Sequence, residues 1–210
     1  MKVIQPIVEG YGELAAVPVL IRRLRDESRT FGLEVGRPIR RKRSELVEES
    51  SLRKSVRLAL LQPNLAAILI IFDGDDACPR ELAPRLEKWA QDEARPIPTA
   101  IVIVQREYEA WFLATIESLR GKRGIRHDAE RHPDPESVRG AKQALEDRME
   151  ADSSYSETAD QAALSAAFDL KAAYSRSRSF RRMVRAYGLL LSGAGEAIGS
   201  WPPAHWIGGT

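Results

Sequence analysis

The chain has 210 residues, of which 43% are hydrophobic and 30% are charged, a composition typical of a globular protein with one core. Its 32 basic and 30 acidic side chains leave a formal net charge of only +2, so any binding of nucleic acid must come from local clusters of Lys and Arg. The single cysteine, Cys78, excludes an intrachain disulfide and a cysteine-based metal site.

The amino-terminal segment MKVIQPIVEG has only a short apolar run before its first acidic residue. Such a run is too short for the apolar core of a signal peptide or for a membrane span. We therefore expect a cytoplasmic protein that does not insert into a membrane.

Strands and helices are predicted to alternate along the first half of the chain. Runs rich in β-branched residues predict buried parallel strands at 3–8, 67–72 and 99–104. The more polar run 33–41 contains Pro38, which predicts an edge strand. Apolar residues at helical spacing, helped by Pro79 at a first turn, predict helices at 12–29, 45–61 and 79–93, with a fourth beginning near Glu107.

The predicted fold is α/β, with a mostly parallel four-stranded sheet flanked by helices over residues 1–119. Residues 120–135 are rich in glycine, proline and charge and predict a connecting loop. Residues 136–210 predict a helical extension packed on the core, with helices at about 136–150, 158–173 and 178–191.

Pairs of acidic residues follow three of the apolar runs: Glu9 and Glu13 in VEGYGE, Asp73 and Asp75 in IIFDGDD, and Glu107 and Glu109 in QREYEAW. The carboxyl ends of parallel strands lie along one edge of an open sheet, so we expect these residues to converge there. Carboxylate oxygens suit Mg²⁺ (or Mn²⁺), which binds few carboxylates and keeps waters for substrate phosphates. The pattern predicts a metal-dependent phosphodiester site.

Each acidic pair also has a purely structural interpretation. Glu13 can complement a helix dipole, the DGDD segment can form a turn, and Glu107 or Glu109 can cap the following helix. In an extended segment Asp73 and Asp75 would point to the same face, with Gly74 allowing close backbone approach. Gly10 would allow a tight turn and a close backbone approach after the first strand. Haloacid-dehalogenase-type phosphatases fit poorly, because Ala77 stands where they carry Thr.

The ordered set of EGxxE after the first strand and DGD after the strand at 67–72 resembles the Toprim domain of topoisomerases, primases and OLD-family nucleases. The runs VEGYGE, FDGDD, REYEAWFLA, GAKQAL and SRSFRRMVRA together resemble the prokaryotic family called domain of unknown function 4276, a Toprim-like group, over about residues 3 to 190. This resemblance implies a Toprim-like (Rossmann-like) core.

The resemblance also implies roles for individual residues. Glu9 becomes a general acid/base or second-metal ligand beside the reacting phosphate, Asp73 and Asp75 become Mg²⁺ ligands, and Glu13 helps to hold a second ion. Glu109 is a further candidate ligand from the last strand. The implied reaction is phosphodiester cleavage by a metal-bound water.

The resemblance to OLD nucleases further implies an ATPase partner and, by analogy, a role in prokaryotic defence. The chain has no G-x-x-x-x-G-K-[ST] run, so that ATPase is expected to be a separate protein. Topoisomerase activity is not expected, because a chain of this length has no room for a separate domain carrying a catalytic tyrosine.

Two basic runs are candidate nucleic-acid contacts, and both have a solvated surface as the alternative. The first contains Arg41 and Arg43, and the second places Arg178, Arg181, Arg182 and Arg185 on one helical stripe. Two other functions remain open: a non-catalytic Toprim-like subunit that binds nucleic acid or a nucleotide, and a Mg²⁺-dependent phosphotransferase acting on a small substrate.

Overall fold

The computed structural model describes residues 1–207. One sheet contains five parallel strands: β1 (Lys2–Val8), β2 (Leu33–Val35), β3 (Ile39–Arg40), β4 (Leu65–Asp73) and β5 (Thr99–Val104). The order across the sheet is β2-β1-β4-β5. On one side of β1, β2 pairs with its amino-terminal half and β3 pairs with its carboxyl end. The predicted parallel α/β core is confirmed.

Helices, connected by irregular segments, flank this sheet. They are α1 (Glu13–Ser28), α2 (Arg43–Leu46), α3 (Glu49–Leu60), α4 (Pro79–Ala94), α5 (Glu109–Ala114), α6 (Ala141–Glu146), α7 (Glu157–Ala167), α8 (Leu170–Arg176), α9 (Arg178–Gly193) and α10 (Ala204–Ile207), with a 3₁₀ turn at Ile116–Leu119. Across residues 1–207, none of these helices is long and apolar enough to cross a membrane.

The strands alternate their side chains between two apolar layers, as the period of two in a strand requires. Ile7, Ile70 and Phe72 face a core that also contains residues of α3 and α4. Val8 and Ile71 face the opposite core, which α1, α5 and the carboxyl-terminal helices complete. The carboxyl-terminal helices therefore share a hydrophobic core with the sheet.

Aromatic residues show how closely the two halves are joined. Trp111 and Phe112 are fully buried, and Trp111 packs edge-on against Phe180 of α9 with ring centroids 5.2 Å apart. The indole Nε1 of Trp111 also donates to Oγ of Ser179 at 2.8 Å. The last three residues of the predicted 136–210 extension lie outside the described residues.

Several predicted elements are divided or shortened in the structure. The predicted strand 33–41 becomes β2 and β3, consistent with Pro38 lacking the N–H that a continuous ladder needs. Glu48 accepts from the N–H groups of Ser50 and Ser51 and starts α3, so the predicted helix 45–61 is two helices. Asp169 starts α8 in the same way, which divides 158–173. The predicted helix 136–150 shrinks to α6, which begins only after Gly140, whose φ is +71°.

Candidate functional site

The candidate site lies where the chain reverses its direction of travel across the sheet. From β1 the chain passes through α1 to β2 on one side, whereas β4 pairs with β1 on the other side. Val8 lies opposite Ile71 in the β1–β4 ladder, so Glu9 and Asp73 follow at adjacent strand ends. Ligands of open α/β sheets bind at such a crevice.

Four acidic side chains meet at this crevice, and hydrogen bonds hold one oxygen of each. Oε2 of Glu13 accepts from the N–H groups of Glu9 and Gly10, both at 2.8 Å, and Oε2 of Glu9 accepts from the N–H of Asp73 at 3.3 Å. Oδ1 of Asp73 accepts from the N–H of Tyr108 at 2.9 Å. The local backbone thus fixes the orientation of these carboxylates.

Glu109 is the deepest of the four and comes from the first turn of α5. Its Oε1 accepts from the hydroxyl of Tyr155 at 2.6 Å and from Nε2 of Gln161 at 3.2 Å. Its Oε2 and the Oε1 of Gln161 are buried and have no hydrogen-bond partner within residues 1–207. Two buried acceptors without donors are costly, so this region favours a bound cation or a proton.

Burial raises the pKa of every carboxyl group in the cluster, and repulsion by other members of the cluster adds to the shift for Asp73 and Glu13. Burial, followed by the charges of Glu13, Glu109 and Glu9, raises the pKa of Asp73 well above its usual range. Burial raises the pKa of Glu13 to about 7, with the charges of Glu9 and Glu109 adding to the shift. The pKa values of Glu9 and Glu109 are also raised, chiefly by burial.

Several residues in the carboxyl-terminal half complete the site. Lys142, Glu157 and Gln161 line a polar cavity of about 250 Å³ together with Glu9 and Asp73. Lys142 forms an ion pair with Glu157, and despite burial its pKa is raised by that bond and by the charge of Glu109. No motif spacing could have indicated these residues, because they reach the site through tertiary packing of α6 and α7.

The remaining acidic candidates have other surroundings. Strand β4 ends at Asp73, and the backbone of Asp75 has a φ of +48°. The expected extended segment, with both aspartates on the same face, therefore does not form. Asp75 is 60% exposed and contacts Nε of Arg43 at 3.3 Å. Glu107 accepts from the N–H groups of Gly140 and Lys142, both at 3.1 Å, and so holds the start of α6.

Glycines bring the elements of the site together, although not all those that the sequence suggested. A Cβ on Gly74 would stand 2.7 Å from the carbonyl oxygen of Val104, so the predicted close approach is confirmed there. A Cβ on Gly12 would stand 2.7 Å from the carbonyl oxygen of Glu157, and it would also meet Gln161. Gly10 has no comparable contact, since the nearest atom to its Cβ position is 3.7 Å away. The close approach in VEGYGE therefore falls on Gly12.

The two predicted basic clusters lie in different surroundings. Arg41 donates to Oγ of Ser55 at 3.2 Å, and Arg43 donates to the carbonyl oxygens of Asp73 and Gly74 at 3.2 and 3.3 Å. Neighbouring Arg40 and Lys42 line the carboxylate cavity. Four arginines of α9 line a separate recess at the β5 side of the sheet: Arg178, Arg181, Arg182 and Arg185.

The cluster fits a divalent cation in its chemistry. Each of its four carboxylates leaves one oxygen without a hydrogen bond among the described residues, and Mg²⁺ prefers such hard oxygen ligands. Within residues 1–207, however, no group of three or more His, Cys, Asp or Glu side chains is already arranged to hold a metal ion. The unbonded oxygens would have to turn inward for an ion to bind, and the magnesium site stays a prediction.

Fold and site together define an α/β protein with a carboxylate cluster at the switch point of a parallel sheet. The chain belongs to the family described as domain of unknown function (DUF4276), whose model matches residues 8–186. That match includes both the acidic motifs and the helices that carry Lys142 and Gln161. No match was found among curated proteins or among solved structures.

Proposed function

We propose that the chain is a Mg²⁺- or Mn²⁺-dependent nuclease of the Toprim type, which hydrolyses phosphodiester bonds in DNA or RNA. The observation that carries the proposal is the cluster of Glu9, Glu13, Asp73 and Glu109 at the switch point of the sheet. Its charges raise the pKa of Glu13 and Asp73. Ionised carboxylates would repel a phosphate, so a divalent cation is needed for the two to meet at neutral pH.

The four carboxylates would hold the ion, which when bound supplies charge stabilisation at the phosphoryl oxygens and activates water. Glu9 lines the cavity and is half-buried, so it is the candidate to accept or return a proton. Lys142 also lines the cavity and would compensate negative charge that develops on the phosphate. Asp75 would reach the ion only after leaving Arg43.

The wider context is proposed on the resemblance to Toprim and OLD-type proteins. It comprises a cytoplasmic location, a separate ATPase partner and a role in prokaryotic defence. An ATPase partner would be tested by co-purification from the native host, and its contribution by measuring cleavage with and without ATP.

A second candidate function is supported by the size of the carboxylate cavity. At about 250 Å³ it is close to the lower limit for sites that bind small molecules. Such a volume is compatible with a Mg²⁺-dependent phosphotransferase that acts on a small phosphorylated substrate. A non-catalytic binding module is a weaker candidate, because clustered carboxylates oppose phosphate binding unless a metal is present.

The test is cleavage of supercoiled plasmid, linear DNA and RNA by purified protein with Mg²⁺, Mn²⁺ or EDTA. The variants Asp73→Asn and Glu9→Gln keep the shape of each side chain, and Glu34→Gln on the exposed edge of β2 is the matched control. We expect metal-dependent cleavage that Asp73→Asn and Glu9→Gln abolish and that the control retains. Hydrolysis or transfer confined to small phosphate esters would favour the second candidate, and cleavage that survives Asp73→Asn would contradict both.

A further inference from the structure

A second recess, here called the arginine groove, lies beside the carboxylate cavity at the carboxyl edge of the sheet. It has a volume of about 900 Å³ and lies between the end of β5, the start of α4 and the exposed side of α9. Arg106, which follows β5, lines the groove, and its carbonyl oxygen accepts from the N–H of Asp75 just after β4. Asp73, at the end of the adjacent strand β4, lines the carboxylate cavity. The two recesses are therefore neighbours along one edge.

Seven arginines line this groove, and three of them have free side chains. Arg80, Arg178 and Arg185 are exposed, and their guanidinium groups form no hydrogen bond or ion pair with any residue in 1–207. They come from two elements, α4 and α9, that are far apart in sequence. A helical stripe alone would not bring Arg80 to this surface, so the fold has collected cations from separate segments.

The other four arginines are held in place by the protein. Arg181 donates to the carbonyl oxygens of Tyr174 and Ser175 at 3.0 and 2.9 Å, so it keeps its charge without a carboxylate partner. Arg182 and Arg176 pair with Glu87 and Glu117. Arg106 binds Asp76, yet its Nε is buried without a hydrogen-bond partner among the described residues.

Acidic residues do not neutralise this surface. The groove has two acidic lining residues, Asp134 and Glu136. Glu136 is committed to the start of α9, where it accepts from the hydroxyl of Ser177 and the N–H of Ser179, both at 2.7 Å. With these two and the three carboxylates that pair with Arg106, Arg176 and Arg182, five acidic residues face seven arginines, so an excess of positive charge remains among the described residues of the groove.

We propose that the arginine groove binds consecutive phosphates of a single-stranded nucleic acid and leads that strand to the carboxylate site. This role in delivering substrate rests on the proposed nuclease function. Its volume is that of a pocket for a small ligand, so a short stretch of one strand fits and a duplex does not. No aromatic residue lines it, so the strand is held through phosphates and its bases are not stacked.

The test is fluorescence anisotropy in EDTA with a labelled single strand of about 15 nucleotides, its duplex, and unlabelled inorganic polyphosphate as a competitor. The variant Arg178→Gln/Arg185→Gln removes two free cations, and Arg22→Gln/Lys171→Gln removes two exposed cations from other surfaces. Salt is varied from about 50 to about 200 mM, because each phosphate contact on a single strand contributes about −0.7 to the slope of log affinity against log salt. Circular dichroism confirms that each variant is folded.

We expect the groove variant to bind the single strand about tenfold more weakly at the higher salt, with a salt slope shallower by about 1.4. The control variant and the wild type should agree. Equal loss in both variants, equal or tighter binding of the duplex, or a preference for polyphosphate over the strand would each overturn the proposal. Because binding is measured without metal, this outcome is independent of whether the carboxylates support cleavage.

Discussion

The main-chain N–H of Asp73 donates a hydrogen bond to Oε2 of Glu9 at 3.3 Å, across the point where β1 and β4 end side by side. The same residue, Glu9, presents its own N–H to Glu13 at 2.8 Å. Asp73 and Glu9 at adjacent strand ends and Glu13 at the start of α1 are thus linked by hydrogen bonds from main-chain N–H groups to carboxylates. A change at one of them is expected to alter the orientation of the next.

The raised pKa values predict how stability depends on pH in the absence of metal. A carboxyl group with a raised pKa keeps its proton in the folded protein at pH values where the unfolded chain has released it. Its contribution to stability is complete below the unfolded value of 4.5 and is lost as the pH rises to about 7, the value for Glu13. The free energy of unfolding in EDTA should therefore fall across this interval.

Glu13→Gln removes the buried charge and isolates this effect. At about 1.4 kcal/mol for each pKa unit, the variant should exceed the wild type in stability by on the order of 3 kcal/mol at pH 8 and match it near pH 4.5. Urea unfolding at a series of pH values measures the difference, with Glu34→Gln as a surface control. A pH-independent difference between Glu13→Gln and wild type would contradict the prediction.

Gly12→Ala should separate the amino-terminal loop from α7. The added methyl group would stand 2.7 Å from the carbonyl oxygen of Glu157, and backbone cannot move aside as a flexible side chain can. We expect a loss of about 1–3 kcal/mol in the free energy of unfolding, together with weaker metal binding.

Gly10→Ala is the matched control for that substitution. It lies in the same loop, and the nearest atom to the new methyl group would be 3.7 Å away, which is an ordinary contact. Chemical denaturation and calorimetric titration with Mg²⁺ should leave Gly10→Ala close to wild type. Similar losses in both alanine variants would show that the loop tolerates no side chain and that the contact with Glu157 is not the cause.

Glu107→Ala should change the orientation of the Lys142 side chain through the main chain of α6. The carboxylate of Glu107 holds the N–H groups of Gly140 and Lys142 at the start of α6, and loss of such a cap costs about 1 kcal/mol. The rate of the proposed cleavage should fall with little change in substrate affinity, because the side chain of Lys142 would no longer be oriented in the cavity. Glu107→Gln, which retains an acceptor, should recover most of the rate, and a failure to do so would argue against this positioning role.

A chain that ends at residue 135 should not fold. Removal of α6 to α10 would expose Trp111, Phe112 and Val104, which pack against Phe168 and Phe180 in one core. Near-ultraviolet circular dichroism and size-exclusion chromatography of the truncated chain would test this, with the full chain as reference. A compact, cooperative fragment would show that the sheet forms an independent unit.

The sequence predicts those parts of the fold that depend on local pattern. The strand at 99–104 and the helix beginning at Pro79 have the predicted starts, because β-branched runs and a first-turn proline are local signals. The sequence pattern does not predict that new helices begin after Glu48 and after Asp169. There a side-chain acceptor ends one helix and begins the next without interrupting the apolar period.

The site could be predicted only in part for a related reason. Glu9 and Asp73 follow from the rule that parallel strands end at one edge. The arrangement of Asp75 did not follow, because a positive φ cannot be inferred from alternating aspartates. Lys142 and Gln161 come from helices, and Tyr155 from the segment before α7, whose positions depend on packing across the whole core, and only coordinates place them.

Glu13 closes the turn that carries it, since its own carboxylate binds the N–H groups of Glu9 and Gly10. These two hydrogen bonds hold the loop in its conformation without a bound ion. When a cation binds or leaves, the unbonded carboxylate oxygens would turn while the main chain of the loop keeps its conformation. Occupancy of the site would then follow the supply of the ion in the cell, while the architecture around it stayed unchanged.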